Sequence, residues 1–364
     1  MKLYTYKRTA QSAPEAGVLR DGKLVPFAAF GLKFATMNEL IRSALPEELK
    51  TLASGAFDAA CAVPLDAVTV LAPIPEPAQD VLCLGLNYMA HANEARSFSA
   101  AFASKEGWPV YFSKRVNWAP GDGEGVPAHE DLTAQLDYEV ELAVIIGRDA
   151  KNVTKENAAD YVFGYTILND VTARDLQNRH VQWYFGKSLD GFTPMGPCIV
   201  TADEFPFPPA LRITCSVNGE VRQDANTNML IHSIAKIISQ FSQGTTLKAG
   251  SIIATGTPKG VAMGMETPKF LNQRQDPIYI DVEHDRLTIY PEETVIFAKD
   301  LMVEGNAFEK FLDRTEAVKD IRYIVLMLRP DSATFQRRLR RAIADRGIDI
   351  GFEPFDFGRK IIIQ

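Results

Sequence analysis

Alternating hydrophobic and polar positions predict many β-strands in the middle of the chain. In LDYEVELAVIIG at 136–147, the acids Asp137, Glu139 and Glu141 alternate with hydrophobic residues. In a strand the acids therefore lie on one face and the hydrophobic side chains on the other. Similar runs are YVFGYTILND, MGPCIVTADE, LRITCSVNGE and GSIIATGTP. Because few helical segments connect these runs, the pattern predicts a mixed α+β, β-rich fold with partly closed sheets, and not a doubly wound α/β fold.

Helical periodicity is limited to a few segments. The clearest is MLIHSIAKIISQFSQG at 229–244, with Gly244 as a C-cap candidate. Its predicted apolar face consists of Ile231, Ile234, Ala235 and Ile238. Helical spacing is also found in TMNELIRSAL, KENAADYV and the basic segment ATFQRRLRRAIADRG. In the last of these, Phe335, Leu339 and Ile343 follow one side of an amphipathic helix.

These elements predict three parts along the chain. A small α+β module is expected at 1–75, where the strand candidates MKLYTYKR and KLVPF flank the turn signal RDGK. The Pro-rich segment LAPIPEPAQD makes a plausible linker from it into a catalytic domain at 76–305. A basic helical extension is expected at 306–364.

Composition narrows the classes of function. The 364 residues are 46% hydrophobic and 23% charged, as in soluble globular proteins. A net charge of −7 argues against nucleic-acid binding, and no apolar run approaches membrane-spanning length. A cytoplasmic protein is expected. The RRLRR cluster could meet an anionic surface, although a solvated helix face or a subunit contact fits an acidic chain better.

The four cysteines give no support to a zinc site, because they are scattered singly without a ligand spacing. The three acids of 136–147 are more informative. Like charges on one face of a half-buried strand repel each other and lose hydration. Either that face is exposed to solvent, or a divalent cation offsets the repulsion.

Three further segments contain groups suited to catalysis. In GLNYMAHANE at 85–94, His91 and Glu94 lie three residues apart, so a helix would pair them. A carboxylate beside an imidazole raises its basicity and fixes its tautomer, as a general base requires. The alternative is an ordinary exposed helical pair.

In FGYTILNDVTARDLQ at 163–177, Asp170 ends an apolar run, with Arg174 and Gln177 four and seven residues later. A helix that starts near Asp170 would place all three on one side, and Asp170 could also act as its N-cap. In WYFGKSLDGFTPMGP at 183–197, two glycines predict tight turns that present Lys187. Such a lysine could stabilise an enolate, or it could be an ordinary surface residue.

The segment GTPKG at 256–260 lacks the GxxxxGK[ST] spacing of a P-loop, so nucleotide binding is not predicted. It is interpreted instead as a turn that brings Thr255 and backbone amides towards a cavity.

The order of these segments resembles the fumarylacetoacetate hydrolase family. The matching blocks are GLNYMAHANEA, LDYEVELAVIIGRDA, VFGYTILNDVTARDLQ, QWYFGKSLDGFTPMGP, VNGEVRQDANTNMLI and ATGTPKGVAMG. The resemblance covers 70–265 well and the N-terminal module more loosely. It does not extend to NQRQDPIYIDVEHDRLTIYPEETVIF or to the basic tail, which puts the closing strands and the dimer edge in doubt.

The resemblance implies a β-roll around a Mg²⁺ or Mn²⁺ ion, in a homodimer. Its three carboxylate ligands fall on Glu139, Glu141 and Asp170, which leaves Asp137 as a supporting or structural acid. The remaining implied roles belong to the catalytic pair His91 and Glu94, the active-site lysine Lys187, the oxyanion-stabilising Arg174 and Gln177, and the substrate-contacting Thr255.

The implied substrate is a small oxo or dioxo acid. Hydrolysis of the C–C bond of a 1,3-diketo acid of the acylpyruvate or fumarylpyruvate type, through a metal-stabilised enolate, is the first hypothesis. Isomerisation of a 2-hydroxy-dienedioate or decarboxylation of a 2-oxo-diacid, in aromatic compound catabolism, is the second. A binding or scaffold protein that kept the fold without activity is the third.

Overall fold

The computed structural model describes most of the chain in two compact units. The described residues are 1–98, 108–180, 182–271, 276–283, 285–290, 294–303, 305–316, 322–328, 333–348 and 350–354. Unit 1 comprises Met1–Asn272 and unit 2 comprises Gln273–Gln364. In the described part of the chain, no helix is long and apolar enough to cross a membrane.

Unit 1 is built mainly from β-strands. Its described strands are β1 (Lys2–Lys7), β2 (Glu15–Arg20), β3 (Lys23–Pro26), β4 (Val63–Pro64), β5 (Thr69–Leu71), β6 (Val81–Gly85), β7 (Val110–Lys114), β8 (Leu136–Asp137), β9 (Val140–Ile146), β10 (Val162–Asn169), β11 (Thr172–Ala173), β12 (Met195–Thr201), β13 (Arg212–Val217), β14 (Glu220–Asn226) and β15 (Ile252–Ala254). Its described helices are α1 (Met37–Ser43), α2 (Pro46–Ser54), α3 (Met89–Phe98), α4 (Arg174–Arg179), α5 (Tyr184–Lys187) and α6 (Ile234–Gly244). The prediction of a mixed α+β, strand-rich fold is confirmed.

The main sheet of unit 1 has the strand order β4-β3-β2-β1-β12-β10-β9-β15-β6-β7, with β5 paired to β1. The pair β15 and β6 is parallel, whereas β9 and β10 are antiparallel. Two short pairs, β8 with β11 and β13 with β14, lie outside this sheet. The antiparallel register of β9 and β10 sets the position of the candidate site.

Strand β9 is buried at every position, which the alternating pattern did not predict. Ala143 and Ile145 belong to one hydrophobic core, while Leu142 and Val144 belong to another. Both faces of the strand are therefore covered. The acids of this segment are consequently buried rather than solvated.

The N-terminal residues contribute strands to the main sheet. Asp21 and Gly22 have positive φ angles in the predicted turn, which joins β2 and β3 in a hairpin. Strand β1 pairs with β12, so Lys2 lies opposite Val200. The division into parts at 1–75, 76–305 and 306–364 stays a prediction, while the chain passes from unit 1 to unit 2 between residues 272 and 273.

Helix predictions were partly correct. Helix α6 forms within the predicted segment, with Ile234 and Ile238 buried. Ile231 precedes the helix and is exposed, and the C-cap is Thr245 instead of the predicted Gly244. The helix predicted at KENAADYV is wrong, because that segment forms a 3₁₀ turn at Ala158–Tyr161 and then enters β10.

Unit 2 contains a sheet with the order β18-β17-β16-β19-β20. Its described elements are β16 (Asp276–Val282), β17 (Arg286–Ile289), β18 (Thr294–Phe297), α7 (Ala307–Glu316), β19 (Arg322–Leu328), α8 (Ala333–Ala344) and β20 (Ile350–Pro354). The basic helix predicted near 333–347 is α8, and its Leu339 and Ile343 lie in the core. The strands β19 and β20 were not predicted.

Candidate active site and metal centre

The three acids implied as metal ligands converge in the structure. Glu141 lies in β9 opposite Leu168 of β10, and Asp170 follows the end of β10 directly. The amide of Asp170 donates a 2.8 Å hydrogen bond to the carbonyl of Glu139. One carboxylate oxygen from each of Glu139, Glu141 and Asp170 lies within 4.8 Å of the others, and all three side chains are buried. The alternative of a solvent-exposed acidic face is therefore wrong.

Two cationic side chains compensate Glu139. Its Oε1 lies 2.7 Å from a guanidinium nitrogen of Arg174, and its Oε2 lies 3.0 Å from Nζ of Lys187. Burial opposes ionisation, but these cations outweigh it and lower the pKa of Glu139 to about 2. Glu139 is therefore a carboxylate at neutral pH.

Asp170 is held between two lysines. Lys187 Nζ donates to Oδ2 over 2.8 Å, and Lys114 Nζ donates to Oδ1. The Lys114 ammonium also donates to the carbonyls of Val171 (3.0 Å) and Phe192 (2.7 Å), and its side chain is fully buried. Burial lowers the pKa of Lys114, against the opposing effect of Asp170. Sequence reasoning missed this lysine, whose only signal is a charge at the end of the apolar strand β7.

Glu141 differs from the other two acids. Among the described residues it has one hydrogen-bond donor, the amide of Gly256 at 2.7 Å, and no cation within ion-pair distance. Burial, Asp170 and Glu139 together raise the pKa of Glu141 well above its ordinary value. A positive charge at this position would relieve that cost.

The donor set therefore fits a hard divalent ion. Its converging atoms are all carboxylate oxygens, which Mg²⁺ and Mn²⁺ prefer. Glu139, Glu141 and Asp170 would hold such an ion, and the uncompensated charge of Glu141 is the structural observation that favours one.

Asp137 supports the site without belonging to the carboxylate group. Its Oδ2 accepts from Arg174 Nε (2.8 Å) and from the amide of Met263 (3.0 Å), and its Oδ1 accepts from the amide of Ala262 (2.8 Å). These contacts fix the guanidinium and the backbone around 262. The supporting role predicted for Asp137 agrees with this geometry.

Arg174 and Gln177 lie in α4, where the Arg174 Nη1 donates to Gln177 Oε1 over 3.1 Å. That bond leaves the Gln177 amide nitrogen as a donor at the cavity, which Gln177 lines. Asp170 is not the N-cap of this helix, because β11 intervenes and the residue preceding α4 is Ala173. The N-cap alternative is therefore wrong.

Lys187 is buried and is not a surface residue. It ends α5, and its ammonium donates to Glu139, Asp170 and Thr172 Oγ1 (2.9 Å). A Cβ on Gly186 would lie 2.5 Å from the backbone nitrogen of Gln177. Gly186 therefore permits the close approach of α5 to α4 that brings Lys187 to the carboxylates.

His91 and Glu94 form the predicted pair in α3, with His91 Nδ1 2.9 Å from Glu94 Oε2. Both side chains are largely buried, which contradicts the alternative of an exposed pair. The amide of Gly260 donates to Glu94 Oε1 over 3.1 Å, and a Cβ on Gly264 would lie 2.3 Å from the Glu94 carboxyl carbon. The backbone of 260–264 thus holds the pair in place.

An open cavity is lined by several of these groups. Its polar lining consists of His91, Glu139, Arg174, Gln177, Lys187 and Thr257. Its apolar lining consists of Leu84, Gly85, Leu86, Ala95, Phe112 and Trp183. The cavity therefore offers both charged groups and apolar surface.

Thr255 is placed differently from Thr257. It is fully buried, and its hydroxyl donates to the carbonyl of Leu142 over 2.8 Å. Gly256, with a φ of +101°, reverses the backbone between the two threonines, so Thr257 lines the cavity instead. The role of Thr255 as a substrate contact stays a prediction.

Asn87 is a second residue that sequence reasoning missed. Its amide nitrogen donates to the carbonyls of Thr255 (2.8 Å) and His232 (3.1 Å), and its oxygen accepts from the His232 amide (2.7 Å). It therefore ties the start of α3 to β15. In the sequence it is recognisable only as a polar residue shortly after the apolar run of β6.

Comparison with known proteins agrees with this geometry. The profile of the fumarylacetoacetate hydrolase C-terminal family matches residues 80–288. Oxaloacetate tautomerase YisK of Bacillus subtilis is 48% identical over 207 residues, which cover 57% of this chain and 67% of that protein.

Two solved structures show the same fold. The fumarylacetoacetate hydrolase of Exiguobacterium antarcticum is 35% identical, with a TM-score of 0.62 over 80% of this chain and 96% of its own. The maleylpyruvate hydrolase of Sphingobium sp. SYK-6, in complex with manganese(II) and pyruvate, is 28% identical, with a TM-score of 0.56 over 81% and 97%. The chain belongs to the fumarylacetoacetate hydrolase family.

Proposed function

We propose that this enzyme interconverts the keto and enol forms of a short 2-oxo acid of the oxaloacetate type. The observation that carries the proposal is the buried group of Glu139, Glu141 and Asp170, because its Glu139 lines the same cavity as His91 of the His91–Glu94 pair. The similarity to an oxaloacetate tautomerase supports the choice of reaction.

The polar lining of the cavity suits the carboxylate and the 2-oxo group of such an acid. A divalent ion bound by the three acids would supply Lewis-acid stabilisation of the negative charge that develops on the 2-oxo oxygen. Gln177 offers its amide N–H groups to the same oxygen, and Lys187 adds positive charge beside it. Arg174 keeps the Gln177 amide in the orientation that points its donors at the substrate.

His91 moves the proton. Its Nδ1 is engaged by Glu94, so Nε2 is the nitrogen left for the substrate. In the keto-to-enol direction, Nε2 takes a proton from C3 while the electron pair moves into a C2–C3 double bond, and the 2-oxo oxygen then gains a proton. Glu94 holds the imidazole in place.

Hydrolysis of a short acylpyruvate is the second candidate. The observation that favours it is the His91–Glu94 pair itself, since an oriented imidazole can also remove a proton from water. The resulting hydroxide would add to the acyl carbonyl, and breakage of the C–C bond would release a carboxylic acid and the enolate of pyruvate. The enolate would be bound by the same side chains as in the first proposal.

The test supplies the protein with Mg²⁺ or Mn²⁺ and follows two reactions in parallel. Decay of freshly dissolved enol-oxaloacetate is recorded by loss of enol absorbance, and acetylpyruvate is analysed for acetate and pyruvate. Accelerated decay without acetate release supports tautomerisation, and acetate release supports hydrolysis. Activity on both substrates that survives excess EDTA would contradict the proposed metal dependence.

Isomerisation or decarboxylation in aromatic compound catabolism, a cytoplasmic location and a homodimer stay predictions. Product analysis on a 2-hydroxy-dienedioate would test isomerisation, and product analysis on a 2-oxo-diacid would test decarboxylation. Sedimentation analysis of the purified protein would test the homodimer.

A further inference from the structure

Trp183 is the largest apolar side chain that lines the cavity. Trp183 precedes α5 and packs against Leu86 and against Ala92 and Ala95 of α3. Its ring also meets Phe112 of β7 edge to face, with centroids 5.3 Å apart and planes at 69°. The indole is therefore fixed from several sides and forms a rigid wall.

Gly85 makes room for this wall. A Cβ on Gly85 would lie 2.5 Å from Trp183 Cζ3 and 2.9 Å from Cη2, distances that a real Cβ does not reach. The indole therefore lies directly on the backbone at the end of β6. Any larger residue at 85 would displace the ring.

The charges of the cavity determine which end of a substrate meets the indole. Glu139, Arg174 and Lys187 line the same cavity, where a carboxylate and a 2-oxo group find cations and donors. Lys187 Nζ lies 5.1 Å from the centroid of the Phe112 ring, which in turn contacts Trp183. The carbon chain of an acid held at Lys187 therefore meets Phe112 and Trp183.

We propose that Trp183 sets the length of the acid that the cavity accepts. Seated on Gly85, its indole stops the carbon chain and restricts the enzyme to short-chain 2-oxo acids. The inference rests on the proposed function for its substrate class, and it names the side chain that selects within that class.

The test measures binding, so that it does not depend on turnover. The Mn²⁺-loaded protein is titrated by calorimetry with pyruvate, 2-oxobutanoate, 2-oxopentanoate and 2-oxohexanoate. For the wild type we expect affinity to fall by about tenfold or more once the chain reaches the indole, because an added methylene then has no space. In Trp183→Ala the longer acids should regain the affinity that they lack in the wild type.

Two further variants complete the experiment. Trp183→Phe keeps an aromatic ring of smaller size and should move the length limit by less than Trp183→Ala does. Trp118→Ala is the matched control, since Trp118 does not line the cavity, and it should keep the wild-type profile. The two tryptophan-to-alanine changes remove the same side chain from different places.

The outcomes distinguish the role of Trp183 from the proposed function. An identical length profile in the wild type, Trp183→Ala and Trp183→Phe overturns the role of Trp183, even if short acids are turned over. A profile that lengthens in the Trp183 variants supports it, and if that profile is found but the protein accelerates neither the decay of enol-oxaloacetate nor the cleavage of acetylpyruvate, the proposed function fails alone. Absence of binding by every acid to the Mn²⁺-loaded wild type overturns the role of Trp183.

Discussion

Strands β9 and β16 carry acids among aliphatic residues, yet they have different surroundings. In VELAVII the Glu141 side chain is 1% exposed, and in DPIYIDV the Asp281 side chain is 3% exposed. Glu141 converges with two more carboxylates, contributed by the segment before β9 and by the end of β10. Among the described residues, Asp281 belongs to no such group.

The difference shows that burial of an acid in a strand does not by itself mark a metal site. Glu141 has the acids Glu139 and Asp170 beside it, and no cation within ion-pair distance among the described residues. The distinguishing feature is the excess of converging negative charge, which is a property of the tertiary structure. The following predictions test whether that excess separates the two strands.

Removing the uncompensated charge should have the largest effect. In Glu141→Gln we expect Mn²⁺ binding to be lost and turnover to fall by about 1,000-fold or more, because the ion loses a ligand and its charge balance. The metal-free variant should also melt at a higher temperature than the metal-free wild type, because folding no longer requires a carboxyl beside Glu139 and Asp170 either to take up a proton or to bury its charge. Calorimetric titration, steady-state rates and thermal melts measure the three effects.

Asp281→Asn is the matched control in unit 2. It neutralises an equally buried strand acid, and we expect metal affinity and turnover to stay at the wild-type level. Turnover by Glu141→Gln at the wild-type rate would contradict the proposed metal centre. Loss of metal binding in Asp281→Asn would remove the distinction between the two strands.

Substitution of His91 tests the proton-transfer step separately from metal binding by the carboxylates. His91→Gln should lower kcat by about 100-fold or more, the contribution expected of a general acid–base group, while Mn²⁺ affinity stays unchanged. Glu94→Gln should lower kcat less, because the imidazole remains and loses only its orienting carboxylate. A greater loss in Glu94→Gln than in His91→Gln would show that Glu94 acts directly on the substrate.

Lys114 should affect metal affinity more than catalysis. In Lys114→Met the side chain keeps its length, but Asp170 loses one of the two ammonium groups that position it. We expect Mn²⁺ to bind about 10–100-fold more weakly, as for other changes to groups that orient metal ligands. Saturating Mn²⁺ should restore most of kcat, and failure to do so would give Lys114 a role beyond positioning Asp170.

The sequence predicted the site better than its surroundings. The spacings of His91 with Glu94 and of Arg174 with Gln177 follow from helical geometry, so both pairs could be found without coordinates. The burial of Lys114 depends on carbonyls more than fifty residues away, which no local pattern contains. The strands of unit 2 were missed because the resemblance found in the sequence stops near 265, although the family profile reaches residue 288 and so covers β16.

The pH dependence of metal binding is the smallest expected effect. Glu141 has a raised pKa because of burial, Asp170 and Glu139, so in the metal-free protein the folded state holds a proton more tightly than the unfolded state does. Stability of the metal-free form should therefore fall as the pH rises above about 4.5, the ordinary value, towards the raised pKa of Glu141. Glu139 contributes nothing to this change, because its pKa of about 2 keeps it ionised throughout.

A metal ion would replace the proton on Glu141. The apparent affinity of the protein for the metal should therefore rise by up to about tenfold per pH unit until Glu141 is ionised. The increase in Tm caused by Mn²⁺ should accordingly be larger near about pH 7.5 than near about pH 5.5. Thermal melts with and without Mn²⁺ at several pH values measure it, and Asp281→Asn should follow the same curve as the wild type. A metal-induced shift that stays constant with pH would show that the ion does not displace a proton from Glu141, and the excess charge would then not distinguish β9 from β16.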